Sequence, residues 1–424
     1  MDVASCNLSM PFSNSEITEA LFAMDTRASP DPDGFGPSFY RKFWPSIGPD
    51  VHHMFAEFFD GTLDLDGLNR ALLVLIPKKE GVRTADGFHP ISLQNCPMKL
   101  FSKEMVNRLK PFIQRVVGAD QTGFIHGRGI AENFVYAADL LSCCHKRHAP
   151  TAVLKLDFKK AFDSVDWSSL DAILHARGFD GRWRGWISSI LTTGKTAVLL
   201  NGVPGRWIKC RRGLRHGDPL SPYLFIIVAD ILQKLIQRAY RNGELSHPLE
   251  ASLPCPVLQY EDDTLILTRG DVASLQALKN ILDDFSMATG LTINYHKSTF
   301  VPMNVDAATA STMATVLGCE LSTFPQTYLG LPLSPHKLRP FDFQPLISSF
   351  DKYLAGWKAR LLSSGGRIVL VNAVLGSLPI YYMSSILLPK GVRELLDAKR
   401  RAFLWTGEEK SNGASCLIAW DRVC

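Results

Sequence analysis

Apolar positions recur along this chain at two periods, and the shifts between them predict the elements. Residues 11 to 25 carry Ile17, Leu21, Phe22 and Met24 behind Pro11 and Ser13, which predicts a helix. A turn-rich segment, Ser29-Pro30-Asp31-Pro32-Asp33-Gly34, comes next. The run Leu72-Leu73-Val74-Leu75-Ile76, closed by Pro77, Lys78 and Lys79, predicts a strand. Residues 100 to 117 return to helical spacing, with Leu100, Phe101, Met105, Val106, Leu109, Phe112, Ile113 and Val116 apolar. Pro111 should kink or split that helix. Its other face carries Lys99, Lys103, Arg108, Lys110 and Arg115, either a solvated stripe or one that tracks a nucleic-acid backbone.

The middle of the chain is denser in signals. Residues 152 to 158 predict a buried strand ending at Asp157. Residues 166 to 177 predict a helix, capped by Asp166 or Ser168 and stopped by Gly178. Residues 196 to 200 and 206 to 210 suggest a hairpin around Asn201-Gly202. A long helix is expected from about 219 to 241. Two short strands then flank a tight turn at Tyr260-Glu261-Asp262-Asp263. Residues 271 to 289 predict an amphipathic helix ending at Gly290, and residues 291 to 295 another strand. This order is an α+β pattern, with helices packing on one face of a small antiparallel sheet. Two helix-like stretches, 341 to 362 and 366 to 378, precede a basic, aromatic tail. A subdomain boundary is expected near 320 to 340.

Composition narrows the class. The 424 residues are 46% hydrophobic, ordinary for a globular protein, and exceed the size of one core. The net charge of +5 permits a nucleic-acid partner without requiring one. Nine scattered cysteines give no disulfide framework and suit a reducing compartment. Cys143-Cys144-His145 with His148 is a local metal-ligand cluster, but it lacks a second distant ligand pair. The N-terminus has no secretory signal. The most apolar run, 220 to 235, is interrupted by Asp230 and Gln233 and predicts a buried helix rather than a membrane span.

Two carboxylate sites carry the candidate chemistry. Asp157 ends a strand, and Asp262 and Asp263 occupy a hairpin tip. Strand ends and hairpin tips can meet at one sheet edge, and convergent carboxylates bind Mg²⁺, which prefers oxygen ligands. Two such ions would activate an attacking hydroxyl and stabilise a leaving pyrophosphate. The plainer alternative is turn chemistry for the Asp pair and helix capping for Asp157.

Five segments in order change the balance. Leu156-Asp157-Phe158-Lys159-Lys160-Ala161-Phe162-Asp163 resembles the first catalytic motif of reverse transcriptases. Arg212-Gly213-Leu214-Arg215-His216-Gly217-Asp218-Pro219-Leu220-Ser221-Pro222 is similar to the next. Tyr260-Glu261-Asp262-Asp263 resembles the Tyr-x-Asp-Asp signature. Gly290-Leu291-Thr292-Ile293-Asn294, with Lys297 and Ser298, resembles the fourth motif. Tyr328-Leu329-Gly330-Leu331-Pro332-Leu333 resembles the primer grip. Pro32-Asp33-Gly34-Phe35, Ile76-Pro77-Lys78-Lys79, Phe88-His89-Pro90-Ile91-Ser92-Leu93 and Gln121-Thr122-Gly123-Phe124-Ile125 resemble the fingers region. The variety is that of non-LTR retrotransposons, plant long interspersed elements in particular. The tail, Gly356-Trp357-Lys358 through Phe403-Leu404-Trp405, is similar to their thumb.

The resemblance implies a right-hand polymerase: fingers over residues 1–150, palm over 151–320, and primer grip, thumb and helical tail over 321–424. It implies RNA-directed DNA synthesis from a primer 3′-hydroxyl, using deoxynucleoside triphosphates and two Mg²⁺ ions, for which Mn²⁺ can substitute. Asp157 and Asp262 would hold the metals, Asp263 would complete the cluster, and the Phe158 carbonyl is an added ligand. Phe162, His216, His89 and Lys297 would meet the nucleotide. Tyr260, Tyr328, Leu329, Gly330, Lys78 and Lys79 would meet primer or template. The resemblance further implies a nuclear location, no membrane, and a chain taken as a monomer.

Three positions depart from the family pattern. Glu261 stands where Ala is usual, His216 where Gln is usual, and His89 where Arg is usual. Glu261 adds negative charge beside a site for an anionic substrate, and His is largely neutral near its ordinary pKa of about 6.5. These changes suggest a decaying copy with weak or absent activity. The competing expectations are a non-catalytic nucleic-acid-binding remnant, an intron maturase, and a chain that never folds stably. Neither an endonuclease nor a ribonuclease H signature is found, so target cleavage is not expected.

Overall fold

Local signals account for most elements of the computed structural model, which describes residues 8–27, 32–354, 361–407 and 418. The first helix, Asn14–Phe22, starts at Ser13, whose hydroxyl accepts the Glu16 N–H while the Glu16 carboxylate accepts the Ser13 N–H. Asp166 caps Trp167–Ala176 by accepting the Ser169 N–H at 2.8 Å, and Asp271 caps Val272–Thr289 through Ser274. Pro111 splits its helix as expected, into Cys96–Leu109 and Ile113–Val116. The expected turn at 29 to 31, Gly356-Trp357-Lys358, and the last residues of the tail lie outside the described residues.

The chain divides into two units. The first comprises Met1–Arg128, Ala152–Phe300 and Val305–Glu320; the second comprises Gly129–Thr151, Val301–Asn304 and Leu321–Cys424. In the first unit, strands β1 (Arg70–Pro77) and β2 (Phe88–Gln94) form an antiparallel hairpin that sets Ile76 opposite His89. Strand β3 (Thr151–Leu156) leads to Asp157. Strand β4 (Lys195–Leu200) runs parallel to β1 and pairs antiparallel with β5 (Val203–Pro204) and β6 (Ile208–Lys209). Strands β7 (Val257–Tyr260) and β8 (Asp263–Arg269) are joined by a two-residue turn, and β9 (Thr299–Met303) carries the chain towards the second unit. The neighbours run β9-β3-β8-β7, so β3 and β8 are adjacent at the centre.

The core of this unit is apolar and aromatic. The helix Ser221–Arg241 is buried along most of its length, as the apolar run predicts. Phe12, Phe55, Phe58, Phe101 and Trp186 form a ring cluster, with Phe58 and Phe101 stacked at 4.4 Å between centroids. Such pairs contribute beyond their buried area.

Two expectations need correction. The basic stripe on Cys96–Leu109 is neither a solvated face nor a phosphate track along its whole length. Arg108 is sequestered: its guanidinium donates to the carbonyls of Leu8, Met10 and Pro11, pairs with Glu16 at 3.1 Å and lies over the Phe12 ring. Arg108 therefore fastens the N-terminal segment to the helix. Residues 291 to 295 form no strand. Only Ile293 makes a bridge, to Phe158, because Asn294 and Ser298 spend their polar groups on the end of β3 instead.

In the second unit, the helix Ile130–Lys146 and the hairpin Gln326–Tyr328 with Leu331–Leu333 precede the helices Gln344–Leu354 and Lys390–Trp405. Residues Ser364–Met383 are long and apolar enough to cross a membrane by length and composition alone, with mean hydropathy 1.3. A single such stretch is weak evidence, since a helix that packs against other protein passes the same test.

Candidate active site

Backbone hydrogen bonds assemble the acidic edge. Asn294 donates its N–H to the Asp157 carbonyl at 2.7 Å, and Lys159 donates to the Thr292 carbonyl at 2.8 Å. The Asn294 amide also donates to the Asp157 carboxylate at 3.1 Å, and the Asp157 N–H donates to the Ser298 hydroxyl at 3.0 Å. This bonding is the wide pattern of an antiparallel bridge, which turns the Phe158 carbonyl away from Ile293. The fourth segment of the sequence pattern thus braces the first.

Adjacency of β3 and β8 brings Asp157 beside Asp263, and the β7–β8 turn adds Asp262. Burial pushes the Asp262 carboxyl above the ordinary carboxylate range, and the Asp263 and Asp157 charges push the same way. Burial likewise raises Asp263; Lys155 opposes this and Asp157 adds to it. Asp262 is nonetheless exposed at its side chain. Water screens its charge there. Glu261 is raised by burial and then by Asp262 and Asp263.

The donors are hard oxygens of the kind Mg²⁺ takes. Their chemistry fits a divalent ion, but their placement is not yet a closed ligand set. Among the described residues, no group of three or more His, Cys, Asp or Glu side chains stands ready to hold a metal. The Cys143-Cys144-His145 cluster is also no ligand set. Cys144 is buried, Cys143 is exposed, and His145 packs edge-on against His336 at 4.4 Å.

The three nucleotide candidates from the first unit's β-hairpin and motifs do meet. Leu214 donates its N–H to the Phe162 carbonyl at 2.7 Å, which lays the 212–218 strap over the Phe162 turn. His216 then packs 5.2 Å from Phe162 and 5.5 Å from His89, ring to ring. Phe162 stacks on buried Phe225 at 4.6 Å. Burial lowers the His216 pKa; the Asp163 carboxylate, 3.6 Å away, opposes this, and His89 reinforces it. A cavity of about 330 Å³ opens beside His216 and Asp163 and runs down to Ile187 and Leu224. It does not include the three aspartates.

The remaining candidates are dispersed. Lys297 is exposed in the turn after Asn294, and Lys78 and Lys79 are exposed at the far end of β1. Tyr260 is half-buried at the end of β7. In the second unit Tyr328 is fully buried and Leu329 is buried, whereas Gly330 of the same turn is exposed. The Tyr381 hydroxyl donates to the Leu329 carbonyl. Sequence reasoning placed Gln121 in the fingers and gave it no part in the site, yet its side chain holds the Glu261 peptide. No periodicity or motif signals such a contact, because the two residues lie 140 positions apart.

Residues 76–333 match the family model described as reverse transcriptase (RNA-dependent DNA polymerase). The chain belongs to the reverse transcriptase family. Its α+β, right-hand polymerase fold class follows from that membership and from the helix-flanked antiparallel sheet. Relatives are proteins of non-LTR retrotransposable elements. The transposon TX1 149 kDa protein of Xenopus laevis is 29% identical over 97% of this chain. The type-1 element R2 polyprotein of Nasonia vitripennis is 31% identical over 54% of it. This chain spans 31% and 22% of those two proteins. A solved telomerase from Candida tropicalis, in complex with a fragment of telomeric RNA, aligns over 79% of this chain and 54% of its own, at 12% identity and a TM-score of 0.44, a weak likeness.

Proposed function

We propose that this chain extends a primer 3′-hydroxyl with deoxynucleotides on an RNA template, by two-metal nucleotidyl transfer. The observation that carries the reading is the gathering of Asp157 at the end of β3 with Asp263 on neighbouring β8 and Asp262 in its turn, where the Asp157 charge raises the pKa of both other carboxyls. Two Mg²⁺ ions, or Mn²⁺, bound by these aspartates and the Phe158 carbonyl would activate the primer hydroxyl and neutralise the pyrophosphate. The protein's own contribution is position and charge. Phe162, fixed by Phe225, offers a flat floor for the incoming sugar. His216 lines the cavity beside Phe162, and His89 packs against its ring. Lys297 is the exposed cation on the segment that braces Asp157 and is suited to the triphosphate. Exposed Gly330 is the residue of the Leu329-Gly330 turn suited to approach a primer strand.

One observation favours a second reading, a nucleic-acid-binding remnant without catalysis. Glu261 adds a fourth carboxyl to the acidic edge, and its pKa is raised by the same neighbours. Primer extension on poly(rA)/oligo(dT) with dTTP and Mg²⁺ or Mn²⁺, beside an Asp262→Ala control, separates the two. Extension that vanishes in the control supports the polymerase. A folded protein that extends only after Glu261→Ala, His216→Gln and His89→Arg is a decayed copy. One that never extends is the remnant.

A further inference from the structure

The turn that carries Asp262 is held by a segment outside every catalytic motif. Glu261 has φ +56°, a left-handed conformation that costs a side-chain-bearing residue about 1 kcal/mol or more. Such a residue persists only where its surroundings fix it. Here the Glu261 N–H donates to the Gln121 side-chain oxygen at 3.1 Å, and the Gln121 side-chain amide donates to the Glu261 carbonyl at 3.3 Å. That same oxygen accepts the Gly123 N–H at 2.9 Å. A single primary amide therefore closes both backbone polar groups of the left-handed residue. A primary amide suits this place because it carries an acceptor and donors on one planar group.

Gln121 is itself immobilised. It is fully buried and bridged to Gln259 of β7. The Thr122 N–H donates to the Gln259 carbonyl at 2.9 Å, and the Gln259 N–H donates to the Asp120 carbonyl at 3.0 Å. Arg128 clamps the carbonyls of Gly118 and Gln121 at 2.5 and 2.7 Å. Buried Asp230 accepts the Gly118 N–H at 2.8 Å and pairs with Arg177 at 2.6 Å. Gly123 leaves no slack, for a Cβ there would sit 2.6 Å from the Glu261 nitrogen.

We propose that Gln121 is a positioning residue of the acidic site: its amide fixes the Glu261 peptide plane and so sets the direction in which Asp262 presents its carboxylate to a divalent cation. Rotation of that plane would swing Asp262 relative to Asp157 and Asp263 without removing any ligand. The inference rests on the polymerase reading and deepens it.

Its test is Mn²⁺ binding by the full chain, measured by calorimetric titration, with Asp262→Ala as the blank and near-ultraviolet circular dichroism to confirm folding. Gln121→Ala is expected to bind Mn²⁺ about tenfold more weakly, the scale of lost outer-sphere support. Gly123→Ala, which pushes on the same peptide, should do likewise, and it decides the matter if Gln121→Ala does not fold. In primer extension the half-saturating Mg²⁺ concentration should rise about tenfold while the KM for dTTP stays within about twofold. Wild-type Mn²⁺ affinity in both variants would overturn the role of Gln121 while leaving the polymerase reading intact. A wild-type chain that binds no more Mn²⁺ than the blank would overturn the metal reading, and this inference with it.

Discussion

Two hairpins in this chain share a two-residue turn and solve it differently. Tyr260 pairs with Asp263 around Glu261-Asp262, and Tyr328 pairs with Leu331 around Leu329-Gly330. In the second, Leu329 and Gly330 both have positive φ, +48° and +77°, as the favoured hairpin turn requires, and glycine takes one of the positions at no steric cost. In the first, Glu261 alone is left-handed, and neither turn residue is glycine. The second turn keeps a glycine for one left-handed position, and only the carbonyl of Leu329 is met from elsewhere, by the Tyr381 hydroxyl. The first is filled by carboxylates and depends on Gln121 from elsewhere. The contrast teaches that the acidic turn carries residues suited to charge rather than to folding, with the rest of the unit supplying the geometry.

The sharpest break of that comparison is removal of charge without change of shape. Asp262→Asn should lower primer extension by two to three orders of magnitude while thermal stability holds or rises, because a repelling carboxylate is gone. If extension survives, the turn is structural after all. Next in size is Gly330→Val. A β-branched residue at φ +77° should destabilise the second unit by about 1–2 kcal/mol in denaturant unfolding, while Mn²⁺ binding is unchanged. Glu261→Gly should act in the opposite direction. It relieves the left-handed strain by about 1 kcal/mol and removes a charge, so stability and extension should both rise. A fall in extension with a gain in stability would show that the Glu261 carboxylate contributes to the site.

The smallest effect lies away from both turns and reads pH. Burial raises the Glu104 pKa to about 7, and Glu16 adds to the shift, whereas Asn107 and Arg108 oppose it. Below 4.5 the acid is neutral in the folded and unfolded chain alike. As pH rises from there to about 7, the unfolded chain releases the proton while the fold retains it, so stability falls across that window and levels off above it. Glu104→Gln should therefore raise the melting temperature at pH 8 and leave it nearly unchanged at pH 4.

The sequence alone determined what local rules can determine. Ser13 and Asp166 announced helix starts because their side chains satisfy N–H groups within three residues. Pro111 announced a break because it lacks an N–H. The ordered motifs announced the family, and the hairpin at 260 to 263 was legible from its flanking apolar strands. What only the tertiary structure decided were the pairings of distant residues. Arg108 read as a surface charge, and the fold made it an internal fastener because three carbonyls of the N-terminal segment needed a donor. Residues 291 to 295 read as a strand, and the fold spent their polar groups on the end of β3. Tyr328 read as a primer contact, and its side chain went into the core of the second unit. Gln121 stood in a segment that resembles the fingers, but nothing in the sequence pointed to Glu261, because a buried amide is chosen by the two backbone groups it must satisfy, and those are known only once the chain has brought Glu261 to it.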